Sequence, residues 1–270
     1  MKKRGFTLAE VLITLGIVGV VAALTAPSLV LSSRNEANAA RLSVLVSNLE
    51  NAFQNAIVQE GVDNLYKTNM WSNGAVNADN AARIAPFVGN LGRYMYVSGF
   101  KTKDTEAMAS TGIHAMDANG GTGTQIAGGD ASLPGVGTCI ALETKNGATI
   151  YIRTYSHTEA EIEAGRTAAI EQGSSYYTNA ADVFIDVNGK SAPNTYGRDV
   201  FAFQVGENGI LYPDGGRDVA RMDDGDISHT WDNATPNRFS CTDDNKGSVD
   251  AQRGLGCAAR VIAEGYKINY

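Results

Sequence analysis

The sequence predicts an α+β protein in which a long N-terminal helix lies across a C-terminal head built on an antiparallel sheet. Three observations predict it. An apolar run opens the chain from Phe6 to Leu31, and Glu10 is the one ionisable side chain in it. Beyond that run Leu42, Leu45, Leu49, Ala52, Phe53 and Ala56 recur at spacings of three and four, with Arg41, Asn48, Glu50, Asn51 and Asn55 between them. This is the pattern of an amphipathic helix. Further on, short alternating segments flank Asn-Gly dipeptides, which is how antiparallel strands and their turns read.

The opening run is long enough to cross a membrane. At 1.5 Å per residue it makes a helix of about 38 Å, against a hydrocarbon core of about 30 Å. A cleaved secretory signal is the alternative, but its apolar region spans about 7–15 residues. This run is longer, and Pro27 follows Ala26 where a cut would fall. A retained membrane segment over 6–31 is therefore expected, within one rod over 6–60 that Gly61 ends. Lys2, Lys3 and Arg4 precede it. By the positive-inside rule they hold the N-terminus in the cytoplasm and send the head outward.

Glu10 needs a partner. A carboxylate deep in a bilayer costs about 2.5–3.5 kcal/mol on insertion scales, and no Lys, Arg or His of this helix is placed to neutralise it. A cut between Gly5 and Phe6 would create an α-amine, mostly protonated at neutral pH. At about 4 Å and an effective dielectric of about 20, that amine attracts a carboxylate by about 4 kcal/mol before desolvation. The amine could belong to the same chain or to a neighbour. The simpler alternative is a carboxylate favouring a helix N-terminus, worth about 0.3–1 kcal/mol.

Gly5-Phe6-Thr7-Leu8-x-Glu10, followed by an unbroken apolar helix with Gly16, Gly19 and Pro27, resembles the processing motif of type IV prepilins and type II secretion pseudopilins. The resemblance covers about the first thirty residues. It implies that residues 1–5 are a leader, removed after Gly5 by a membrane prepilin peptidase that then methylates the new amine of Phe6. It implies that Glu10 guides assembly by pairing with a neighbour's N-terminus, and that Gly19 and Pro27 bound a stretch of helix able to melt in the filament. The partners it implies are that peptidase, other pilin or pseudopilin subunits and an inner-membrane assembly platform. The location it implies is the bacterial inner membrane, with the head in the periplasm, and then the filament.

A head over 61–270 is long enough to bury a real core. The formal charge of the chain is −7, and loss of Lys2, Lys3 and Arg4 makes it more negative. An acidic body argues against nucleic acid as the main partner, because phosphate binding depends on clustered Lys and Arg. Cys139, Cys241 and Cys257 are the cysteines. In an exported domain disulfides persist, so the close pair Cys241 and Cys257 is the candidate bridge, worth about 3 kcal/mol in the chain-entropy model. Metal binding is the weaker alternative, since there is no CxxC and His114, His157 and His229 are scattered. Pilins often close a C-terminal region with a disulfide, and 241–270 would be that region.

Within the head, Ala78 to Pro86 suits a short helix, Tyr94 to Phe100 a short strand or aromatic turn, and 117–137 a long glycine-rich loop. The Gly121-Thr-Gly123 in that loop lacks the Gly-Lys-Ser/Thr ending of a phosphate loop. Cys139 to Glu143 and Ala148 to Tyr155 read as a hairpin about Asn146-Gly147. Ser156-x-x-Glu159 resembles a capping box opening a helix to about Gln172. Strands are expected at Asp182 to Val187, Asp199 to Val205 and Ile210 to Tyr212, and a short helix at Ala258 to Glu264 before Gly265.

Asp186, Asn188 and Asp199 are candidate calcium ligands, because alternating oxygen side chains about a glycine turn can hold that cation. The spacing is not that of an EF-hand, and an Asx turn with Asp199 capping it is the alternative reading. Asp214, Asp218, Asp223, Asp224 and Asp226 are irregularly spaced and read as a solvated loop. No HExxH, GxSxG or Cys-His pattern points to catalysis, and no cofactor is expected apart from the calcium candidate. The expected function is that of a structural filament subunit. The large head points to a minor one, and the alternative is a membrane-tethered, adhesin-like binding module that does not polymerise.

Overall fold

The computed structural model describes residues 7–72, 88–101, 114–116, 122–125, 140–154, 163–164, 167, 179–189, 191, 194–216, 231, 241 and 254–270. Helix α1 runs unbroken over Leu8–Glu60, straight through Pro27, a rod of about 80 Å. Thr7 is its N-cap and Gly61 its C-cap, with the Gly61 N–H bonded back to Ile57 and Val58. The rod expected over 6–60 is thus present from Leu8 onward, while Phe6 lies outside the described residues.

The halves of α1 differ in what they touch. Every residue from Thr7 to Arg34 is exposed, whereas Ala39, Leu42, Leu45, Val46, Leu49, Ala52, Phe53 and Ala56 are buried. These pack on one face of a six-stranded sheet of order β1-β4-β5-β6-β7-β8. Its members are β1 (Val97–Lys101), β4 (Ile140–Thr144), β5 (Thr149–Thr154), β6 (Asn179–Asp186), β7 (Val200–Gly206) and β8 (Leu211–Pro213), all antiparallel. Leu142, Ile150, Ile152, Val183, Ile185, Phe201, Phe203 and Val205 face the helix. The alternate residues Ala141, Tyr151, Phe184, Val200 and Ala202 form a second buried cluster with Tyr196 and Leu255, the period-two consequence of a sheet covered on both sides.

The β4–β5 hairpin is where Asn146-Gly147 places it. Its turn closes with Gly147 N–H on the Thr144 carbonyl and Thr144 N–H on that of Ala148. Gly147 takes φ 80° while Asn146 does not turn left-handed, so this is a three-residue loop and not the two-residue turn that needs two positive φ angles. The β7–β8 turn at Asn208-Gly209 repeats the pattern.

One expectation is corrected. The stretch 117–137 is not loop throughout, since Thr122–Gln125 forms β3, antiparallel to β2 at His114–Met116. Thr122 and Thr124 are β-branched at alternate positions, and the strand pairs with β2 through Thr122 on Met116 and Gln125 on His114 in spite of the flanking glycines. The helix expected at 78–86, the Ser156 cap, Cys139, Asp218, Asp223, Asp224 and Asp226 lie outside the described residues. Glu163, Ala164 and Thr167 are helical, within the segment where a helix is expected.

The C-terminal region locks onto both the sheet and α1. Helix α2 (Cys257–Ala263) ends with Gly265 N–H on Ile262 and Tyr266 N–H on Val261, the Schellman pattern. Buried Arg260 donates to the Cys241 carbonyl at 2.7 Å and to Glu264 at 2.9 Å, and its guanidinium lies 4.6 Å from the Tyr270 ring centroid. Tyr270 donates its hydroxyl to the Gly197 carbonyl at 2.6 Å. On α1, Asn35 and Asn38 donate to the carbonyls of Ile268 and Arg198, each at 3.1 Å. Glu50 accepts the Leu211 N–H at 3.0 Å.

Candidate functional site

The first site is the N-terminal turn of α1. Glu10 Oε2 accepts from both the backbone N–H and the hydroxyl of Thr7, at 2.8 Å each, and Thr7 Oγ1 in turn accepts the Glu10 N–H at 3.3 Å. This is a reciprocal capping box, in which two amide donors that a helix start leaves unsatisfied are taken up. Glu10 therefore has a local partner that the search for a cation overlooks. Thr7 is not among the candidates named from the sequence, although the Thr-x-x-Glu spacing is the signal that marks it.

Among the described residues Glu10 Oε1 has no hydrogen-bond partner, so one lone-pair face of the carboxylate stays open. A cut after Gly5 would leave the new terminus one residue ahead of the cap. Gly5 and Phe6 themselves lie outside the described residues. Gly16 and Gly19 sit on the exposed half of α1, and a Cβ built at either would meet nothing within 4 Å beyond the helix itself. Nothing among the described residues requires their smallness. Pro27 lies in the same exposed half.

The second site is the turn between β6 and β7. It brings Asp186, Asn188 and Asp199 together. Asp186 Oδ1 accepts the Asn188 N–H at 3.2 Å, and Asn188 Nδ2 donates to Asp199 Oδ2 at 3.0 Å. Asp199 also accepts the N–H groups of Asn194, at 3.1 Å, and of Thr195. Both carboxylates are buried to 1% exposure. Burial first, and the Asp199 charge second, push Asp186 up to about 8. Burial also raises Asp199, against the N–H groups of Thr195, Asn188 and Asn194.

Calcium takes about 6–8 oxygens. Asp199 already faces three N–H donors, and Asp186 accepts backbone N–H groups of Asn188 and Gly189. Among the described residues no three His, Cys, Asp or Glu side chains gather as a metal cluster. These residues by themselves fall short of a calcium shell. What they build is the Asx turn with a capping aspartate.

The third site is the disulfide. Cys241 and Cys257 are bonded, with Cα atoms 5.0 Å apart. Gly197 abuts it at φ 80°, and a Cβ there would lie 2.6 Å from Cys257 Sγ. The bridge thus presses on the turn that carries Asp199, a contact between distant residues that no local spacing announces.

By length and composition α1 is apolar enough to cross a membrane, and none of its most apolar window is buried inside the chain. Comparison with protein families matches residues 1–26 to the prokaryotic N-terminal methylation motif. Comparison with curated proteins and with solved structures found no match. The exposed apolar helix and the matched residues fit a membrane-anchored, pilin-like chain. Over its first 26 residues the protein carries the hallmark motif of the type IV pilin and pseudopilin family.

Proposed function

We propose that the chain is a structural subunit, of the minor class, in a type IV pilus or a type II secretion pseudopilus. The observation that carries this reading is the coincidence of the methylation motif with a helix whose first half is exposed along its whole length, Thr7 to Arg34. An apolar rod of that length is satisfied by lipid before assembly and by other subunits after it. Association in lipid rests on packing and not on hydrophobicity, and Gly16, Gly19, Ala22, Ala23 and Ala26 supply small surfaces for it.

In this reading prepilin peptidase cuts after Gly5 and methylates Phe6. The head stands in the periplasm, and the assembly platform draws the subunit into the filament. Glu10 keeps Oε2 on Thr7 and offers Oε1 to the terminal amine of a neighbour. The role is structural, and no described cluster is asked to do chemistry.

Mass spectrometry of the mature protein tests the processing step. The expected mass lacks five residues and gains one methyl group, and an intact Met1 overturns the reading. Glu10→Ala separates a subunit from a simple tether. A filament subunit carrying it is still processed but does not assemble, whereas a tethered binding module tolerates the change.

A further inference from the structure

A cleft of about 340 Å³ opens between the second half of α1 and the edge of the sheet. We propose that it binds a neutral saccharide, a mono- or disaccharide in size. The volume lies at the low end of the range for small-molecule sites, about 300–1,000 Å³. The chemistry of the walls selects the ligand. Asn48 and Asn51 from α1 face Asn146 of the β4–β5 turn, with Tyr94, Tyr96 and Lys145 completing the rim.

A carboxamide offers donor and acceptor side by side, as a sugar hydroxyl does, so three of them suit a polyol better than an ion. Among the described residues no carboxylate lines the cleft, so none of them offers the charge a cationic ligand would need. None of the three amides makes a hydrogen bond within the structure's described residues. Asn is also a poor helix former, so two of them three residues apart on one exposed face of α1 are placed there at some cost to the helix.

The ring of Tyr96 supplies the second half of a sugar site. It is 65% exposed, unlike the other aromatic rings of the head whose burial is described, and the Lys145 ammonium lies over it at 5.6 Å from the centroid. The ammonium occupies one face, and the exposed remainder of the ring is the surface against which the C–H face of a pyranose would stack. Leu45 and Met95 give the cleft an apolar floor. The proposal does not depend on polymerisation, because every wall belongs to a single chain.

The test uses the full-length chain in a detergent without a sugar headgroup. Saturation-transfer NMR is run with the methyl glycosides of glucose, galactose, mannose and N-acetylglucosamine, and with glucuronate and inorganic phosphate as anionic probes. The expected result is transfer to at least one neutral glycoside, with affinity about tenfold weaker in Tyr96→Ala and in Asn51→Ala. Val58→Ala, exposed on the same helix, should leave it unchanged. Thermal unfolding confirms that each variant is folded, and the two cleft variants serve independently. Absence of transfer to all four glycosides overturns the proposal. So does binding of the anions alone, or a loss that Val58→Ala shares. A failure here with correct loss of the leader would leave the filament reading standing.

Discussion

The two halves of α1 are one hydrogen-bonded helix with opposite relations to the rest of the chain. From Leu8 to Arg34 the apolar side chains are exposed and none of them joins the buried core of the described residues. From Asn35 onward the helix is held by polar contacts at Asn35, Asn38 and Glu50 and by a buried stripe from Ala39 to Ala56. The first half is the more hydrophobic and contributes nothing to the fold of the head. Apolar content therefore records which surface a segment must satisfy, and here the two halves answer to different ones.

The largest expected effect sharpens that contrast. Leu49 is fully buried beneath the sheet, while Leu15 is 64% exposed. Leu49→Ala should cost about 3 kcal/mol, the usual range for an emptied core site, and Leu15→Ala should leave the head within about 0.5 kcal/mol of the parent. Denaturant unfolding followed by the Trp71 signal checks both, since Trp71 packs edge-on to Phe53 of α1 at 5.7 Å. Equal losses would break the comparison.

A pH profile comes next, and it concerns the head alone. Asp186 ionises near 3.8 when unfolded and near 8 in the fold. Between those values the native state holds the proton and the unfolded state does not. Stability from this group is therefore complete below 3.8 and is lost as pH rises through about 8, with a slope no steeper than about 1.4 kcal/mol per unit. Asp186→Asn should flatten the profile across that window. Because Arg198, next to Asp199, is tied to Asn38, the hydrogen-exchange protection near Asn38, corrected for the intrinsic pH dependence of amide exchange, should follow pH while that near Gly19 does not.

What the sequence made legible follows from how local each signal is. The rod, its Gly61 end, the β4–β5 hairpin and the Cys241–Cys257 bridge rest on spacing or composition within a short window. The β3 strand was hidden because Thr122–Gln125 is four residues long with Gly123 inside it and glycines on either side, too short a run for a period to show. The web of Arg260, Tyr270 and Gly197 joins positions 73 residues apart at the last of its links, and Asn35 and Asn38 read as ordinary surface amides until their carbonyl partners are known. The candidate site was legible as residue types at Glu10, Asp186, Asn188 and Asp199. Its hydrogen-bond partners were not, except at Thr7, where the spacing stood in plain sight beside a stronger hydrophobic pattern.

Thr7 gives the smallest effect and the finest division between the halves. Thr7→Ala removes the cap, which costs about 1 kcal/mol, yet everything it touches lies in a turn with no contact to the head. Amides of that first turn should exchange about fivefold faster, in keeping with that cost at room temperature, while the unfolding midpoint of the head stays put. Thr7 also steers Glu10, by holding Oε2 and leaving Oε1 without a partner among the described residues. In a filament the released carboxylate could still reach a neighbouring amine but would first have to lose rotamer freedom, so Thr7→Ala should slow assembly without abolishing it. Glu10→Gln, which keeps the shape and removes the charge, should stop assembly while leaving cleavage after Gly5 intact. If filament growth fell equally in the two variants, the cap and not the charge would be what assembly requires.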